Sequence, residues 1–387
     1  MSNTENSSSI RKLVDEWKQM ARSLPDGSES AVPPTRTTLA EDGDDDEVRQ
    51  HLIEMLTVAV QLEFSTIPPY LCALWSIKDE LHPVAKSIRE IVQEEMLHMG
   101  LACNMLAAVG GKPRLAQWAP DYPTPLPGEV HKGLTVSLQG LNRESLLDFI
   151  RIETPDQLAP NVPHEPGDPD WSGSETIGEF YQTILEAFQC YRQPLILDCQ
   201  VTASLVWRLI TSVKDVEWAI QIITSQGEGA QLEDGMKRKP KEEKIPSPRD
   251  SSKDDYAHYY RFLEVWKEKK LVLDSTHGGE DHYRWQAGYS LPEVCPMGKV
   301  PKDGFTESLD SNVLQLLTDF DRTYSEMLRL LEQSWTPGGQ GNLVHAISRM
   351  FDLEQYAKPL MQIKIREGKT ETYGPQFRYR ADTDNPT

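Results

Sequence analysis

Glu90–Gly111 reads EIVQEEMLHMGLACNMLAAVGG. Ile91, Leu97, Met99, Leu101, Ala102, Met105 and Leu106 give it an apolar helical face. Beside that face stand Glu95 and His98, three positions apart and hence on one side of a helix. A carboxylate and an imidazole beside a core-facing stripe are costly to bury unless something compensates them. A metal ion is one such compensation, and Glu-x-x-His is the helical unit with which four-helix carboxylate bundles hold paired metals. Gly110-Gly111 and Pro113 close this helix.

Three more long helices are expected around it. The first runs from about Glu47 to Thr66, with Pro68-Pro69 stopping or kinking it. Leu52, Leu56, Ala59 and Glu63 share its apolar stripe, which makes Glu63 a candidate ligand. The third starts near Ser174 or Thr176, the latter with the spacing to Glu179 of a capping motif, and runs to Ile196. Glu179 and Glu186 share a face there, and either is positioned to bridge. The fourth starts near Ser212, runs to Gly235 and supplies Glu228. Where a second Glu-x-x-His would place histidine, Gln231 stands. His258 follows after a charged insert and opens the new run HYYRFLEV. Either the insert interrupts the fourth helix and His258 supplies the missing imidazole, or the second site is weak, asymmetric or empty. Glu94 is an alternative to Glu95. Taken singly, each of these acids reads equally well as a solvated surface residue. In four helices in this order they read together as ligands, because carboxylates neutralise two divalent ions and imidazoles add neutral donors.

Elsewhere, residues 1–45 form a polar leader in which Ile10–Leu24 has the spacing of one short helix. Residues 46–265 form the expected bundle, with a flexible insert near 235–253. Pro-rich aromatic loops cover 113–133 and 160–173, Leu134–Leu138 is a candidate strand, and Asn142–Ile150 is a short helix behind an Asn cap. Residues 266–305 read as an irregular connection, 306–366 as a helical hairpin packed on the bundle, and 367–387 as a tail. The fold class is all-α.

The net charge of −20 disfavours phosphate-backbone binding, so no nucleic acid partner is expected. No apolar run reaches the ~20 residues of a membrane span. The five cysteines form no CxxC pair, and a reducing cytoplasm fits them. No GxGxxG, P-loop or G-x-S-x-G occurs, which leaves nucleotide cofactors and nucleophile-elbow hydrolysis without support.

The blocks QLEFSTIPPYLCALWSIKD, IREIVQEEMLHMGLACNMLAAVGGKPRL, YPTPLP, TIGEFYQTILEAF, SQGEGA and HYYRFLE resemble, in this order, the ferritin-like, iminophenyl-pyruvate dimer synthase family over about residues 47–265. The family is named for enzymes that couple two imines made by oxidising tryptophan. The resemblance implies a four-helix ferritin-like core and an iron site, with two ions expected and manganese as the other candidate. Its carried-over ligands are Glu63, Glu95, His98, Glu179, Glu228 and His258, with Glu179 preferred to Glu186 because it stands in the IGEFY block. Gln231 fits a family whose last histidine arrives after a variable insert. The expected function is a non-haem iron oxidoreductase acting on an amino-acid-derived aromatic small molecule beneath the Pro-rich loops, with no catalytic residue singled out. The rivals are a ferritin-type ferroxidase without organic substrate and a metal-free helical scaffold. The oligomeric state is left open.

Overall fold

The structure is a computed structural model and describes residues 45–169, 175–202, 208–229, 232–233, 237–238, 247–250, 255–274, 282–306 and 309–381. The expected helix over Ile10–Leu24 and most of the charged insert lie outside these residues.

Helix α1 spans Asp45–Ser76 and opens on Asp45, Asp46 and Glu47, whose charges suit the positive end of a helix. Pro68 and Pro69 lie inside it rather than ending it. Pro69 has no N–H to give the Ser65 carbonyl, and the Tyr122 hydroxyl donates to that oxygen instead, at 2.7 Å. A partner from a distant loop thus lets the helix run through a position where sequence alone leaves a stop or a kink open.

Helix α2 spans Pro83–Ala108, capped at its start by His82, whose Nδ1 accepts from Val84 N. At its end Gly111 N donates to Leu106 O and Gly110 N to Ala107 O, a Schellman closure. Gly110 has φ +82, which a residue with a Cβ reaches only under strain. Arg49 from α1 donates to Val109 O and joins the two long helices at this end.

Four shorter helices follow: α3 (Arg143–Ile152), α4 (Ile177–Cys190), α5 (Val213–Gly227) and α6 (His258–Lys267). Asn142 starts α3 with a capping box to Ser145, and Thr176 starts α4 with one to Glu179. Helix α4 stops before Pro194, well short of Ile196, because the residue ahead of a proline disfavours helix. Helix α5 stops at Gly227, short of Gly235, where Gly229 turns to φ +82. Helices α3 and α4 both pack on α1, α5 and α6 both pack on α2, α4 meets α5, and α3 meets α6. The two outer helices of a four-helix bundle are therefore each supplied in two pieces.

Short antiparallel pairs decorate the loops. β1 (Thr124–Pro125) pairs with β2 (Thr135–Val136), β3 (Leu232–Glu233) with β4 (Lys237–Arg238), and β5 (Arg249–Asp250) with β6 (Asp255–Tyr256). The connection after α6 is not wholly irregular. β7 (Lys269–Leu273) and β8 (Tyr283–Ala287) form a hairpin with Leu271 opposite Trp285, and Leu271 and Tyr283 are buried.

Helices α7 (Ser311–Ser334) and α8 (Asn342–Leu360) form a C-terminal hairpin against α1 and α2. Trp335 Nε1 donates to Asn104 Oδ1 of α2 at 2.8 Å, tying hairpin to bundle. Part of the expected tail packs as well. Thr372, Tyr373 and Phe377 are buried, and Arg380 N donates to Ser325 Oγ of α7. No helix of the described residues is long and apolar enough to cross a membrane, and all five cysteines are free.

Candidate metal centre

The apolar stripe of α1 continues through Glu63, Thr66 and Tyr70, all buried. Helix α2 turns Glu94, Glu95 and His98 toward the same interior. The end of α3 adds Glu153 and the first residue of α6 adds His258. Two groups of potential ligand atoms result, each lying within 4.8 Å: Glu63, Glu95 and His98, and Glu95, Glu153 and His258. Glu95 belongs to both.

The carboxylates share one arrangement, in which one oxygen is held by a hydroxyl and the other faces inward. Tyr181 donates to Glu63 Oε1, Thr66 to Glu95 Oε2 and Tyr70 to Glu153 Oε1, each at 2.6 Å. The inward oxygens meet the imidazoles. His98 Nδ1 lies 3.7 Å from Glu63 Oε2 and 3.5 Å from Glu95 Oε1. His258 Nδ1 lies 2.9 Å from Glu95 Oε1 and 3.6 Å from Glu153 Oε2. The outer ring nitrogens are anchored differently. His98 Nε2 donates to Gln226 Oε1 and His258 Nε2 to Glu94 Oε2, both at 2.8 Å, while Arg261 Nη1 donates to the same Glu94 oxygen. Oxygen acceptors at Nε2 assign the ring proton there and leave Nδ1 for the interior.

Burial and crowding shape the charge. Burial and then the Glu95 charge push Glu63 up to about 8. Burial opposes ionisation of Glu95 as well, but His258 and His98 outweigh it and hold the acid at about 2. Burial works against protonation of both imidazoles, yet Glu95 raises His98, and Glu153, Glu94 and Glu95 raise His258 well above the usual histidine range. Protons thus supply the positive charge that this cluster of acids requires.

Metal ions suit the same place. The donors are carboxylates and imidazoles, the set that first-row divalent ions accept. His258 Nδ1 is buried between the inward oxygens of Glu95 and Glu153, at 2.9 and 3.6 Å, where a divalent cation can take the place of the proton. Each ring is backed by an acceptor at its far nitrogen, the usual support of a metal-binding histidine.

Of the six residues expected at the site, Glu63, Glu95, His98 and His258 are brought together, whereas Glu179 and Glu228 are not part of either group. Glu179 is half-buried and its carboxylate accepts from Thr176 N, completing the cap of α4. The local cap competes for this side chain and holds it at the helix start. Glu228 accepts from Gly178 N at 2.6 Å, the favourable position for an anion at the start of α4. A Cβ at residue 178 would come 2.3 Å from that carboxylate, so glycine is what admits it. Glu186 is exposed and accepts from Gln182, and Glu94 backs His258.

Sequence reasoning missed Glu153, Gln226 and the three hydroxyls. Glu153 carried a signal, since Leu146, Phe149, Ile150 and Glu153 recur at i, i+3, i+4 and i+7. A ten-residue helix ahead of Pro155 obscured it. Glu153, Gln226 and His258 all lie where α3, α5 and α6 end or begin. The breaks in the outer helices therefore fall at the level of the cluster.

Comparison with known proteins agrees with this geometry. The model of a family described as Ferritin-like matches residues 56–267, more than half of the chain. No curated protein matches. A solved structure described as a ferritin-like protein from Caulobacter vibrioides matches with a TM-score of 0.56 at 18% identity, covering 90% of this chain and 100% of that one, a likeness of fold. A helical bundle with buried acids and imidazoles at its centre, matched over that length, belongs to the ferritin-like family.

Proposed function

We propose that the protein is a non-haem di-iron oxidoreductase, with Glu63, Glu95, His98, Glu153 and His258 as the residues that hold the metal. The observation that carries this reading is the position of Glu95 in both ligand groups, the place of a carboxylate shared between two ions. Iron is preferred and manganese is the alternative, since both accept this donor set. Bound there, an iron pair supplies redox chemistry toward dioxygen or peroxide.

The chain's own residues prepare that chemistry. The hydroxyls of Tyr181, Thr66 and Tyr70 fix the rotation of the three carboxylates, so that each offers one oxygen inward. Gln226 and Glu94 fix the rings. All five proposed ligands are at most 3% exposed, which excludes bulk water and strengthens every electrostatic interaction inside. In the metal-free protein Glu63 keeps a proton below about pH 8. That proton sits on Oε2, because Oε1 accepts from Tyr181.

The substrate in this reading is an amino-acid-derived aromatic small molecule, oxidised or oxidatively coupled in the cytoplasm. It is supported by the ordered sequence blocks that resemble the iminophenyl-pyruvate dimer synthase family. The test is to supply the iron-loaded protein with oxygen and the imines released from tryptophan or phenylalanine by an amino-acid oxidase. An oxidised or coupled product that requires iron and is lost in Glu95→Ala supports the proposal. Oxygen consumption that oxidises only Fe(II) and leaves the imine untouched would replace it with the ferroxidase reading.

A further inference from the structure

Helices α1 and α2, the end of α3 and the start of α6 supply the proposed ligands, and α4 and α5 supply none. Helix α4 reaches the centre through Tyr181, whose hydroxyl holds the outer oxygen of Glu63. Helix α5 reaches it through its last two residues. Gln226 holds the outer nitrogen of His98, and Gly227 faces Glu153. A Cβ on Gly227 would lie 3.3 Å from Glu153 Oε2, the inward oxygen of that carboxylate. Among the described residues it would meet no other heavy atom within 4 Å beyond its own stretch of helix.

The backbone does not ask for glycine at this position. Gly227 lies within α5 and has no positive φ, unlike Gly229 two positions on at φ +82. Inside a helix glycine is a poorer choice than alanine. Gly227 is also buried, where side chains ordinarily fill the space. Its missing side chain therefore leaves a gap that local conformation does not explain. The gap adjoins the second ligand group, in which Glu153 Oε2 lies 3.6 Å from His258 Nδ1 and that nitrogen 2.9 Å from Glu95 Oε1.

We infer that Gly227 keeps open the position from which dioxygen or peroxide reaches the metal pair, on the side held by Glu95, Glu153 and His258. The inference rests on the di-iron reading proposed above. That ligand group offers three protein atoms, the number at which catalytic metal sites keep a place for an outside ligand. Carboxylate oxygens bind a divalent ion such as zinc at about 2.0–2.2 Å, so two oxygens at right angles on one ion lie about 3 Å apart. An atom in the gap stands close to that distance from Glu153 Oε2. A gap left by one missing Cβ suits a diatomic or triatomic molecule rather than a ring, which gives the oxidant a place separate from that of an aromatic substrate.

Azide is the probe, because its complex with Fe(III) absorbs visible light. The iron-loaded full chain is oxidised in air and titrated with azide, and iron is counted by elemental analysis. The wild type is expected to hold two ions and to develop the azide band. Gly227→Ala suits the helix, and Gly227→Ser is the second variant. Both should keep the iron and the circular dichroism of the wild type and bind azide about tenfold more weakly or worse, the effect of a side chain forced against the ligand. Unchanged azide affinity in variants that keep their iron overturns the inference and leaves the di-iron reading standing. Loss of iron from a folded variant overturns it too, because the gap would then be the ion's own place. A wild type that holds iron and binds no azide has the same consequence, and a wild type without iron overturns both the inference and the reading beneath it.

Discussion

Glu95 Oε1 faces two imidazoles at once, while Thr66 holds Oε2. Removing Glu153 or Glu63 should disturb one ligand group and leave the other. We expect Glu153→Gln to keep about half the bound metal of the wild type by elemental analysis, and Glu179→Gln to keep all of it. Full retention in the first variant, or loss in the second, would reverse the placement of these two acids. Protonation gives a second test. In the metal-free protein Glu63 is protonated up to about 8 and both imidazoles are raised, so divalent ions must displace protons to bind. Affinity for Mn(II), which is redox-silent under these conditions, should therefore rise between pH 6 and 8, by about tenfold per pH unit for each proton released. Glu63→Gln should flatten that slope. At this scale the sequence was informative wherever an acid or imidazole stood on an apolar stripe, as Glu63 and Glu95 do. It misled at Glu179, because the capping box that marks the helix start also engages the carboxylate.

Helix boundaries were legible where local chemistry sets them. Asn142 and Thr176 start α3 and α4 as capping residues do, and Gly110-Gly111 ends α2. Boundaries set by distant partners were not. Helix α1 continues past Pro68-Pro69 with the Tyr122 hydroxyl serving the Ser65 carbonyl. Tyr122→Phe leaves that carbonyl unpaired and should cost about 1–3 kcal/mol of stability in chemical denaturation. An unchanged midpoint would mean that another donor takes the hydroxyl's place. The β7–β8 hairpin was hidden for a related reason. Its inward residues Leu271 and Tyr283 are twelve positions apart on opposite strands, and only the pairing of the strands makes one buried face.

Across the whole molecule, the order of helical segments indicated the bundle and the hairpin, because each carries an apolar stripe long enough to read. The packing of the chain after α8 was not readable in that way. Phe377 is buried in a left-handed backbone conformation at φ +53 and stacks on Trp75 at 6.1 Å, an arrangement only the assembled core can enforce. The centre draws on α1, α2, α3 and α6 at once, so metal bound there should stabilise the fold as a unit. Free metal at about 100 times its Kd should add about 2.7 kcal/mol to unfolding for each ion bound. The decisive measurement is an anaerobic titration of the metal-free protein with Fe(II), read as ions bound per chain. Two ions in the wild type and none in Glu95→Ala are predicted; a wild type that binds none, or a Glu95→Ala that still binds two, would contradict a centre built around Glu95.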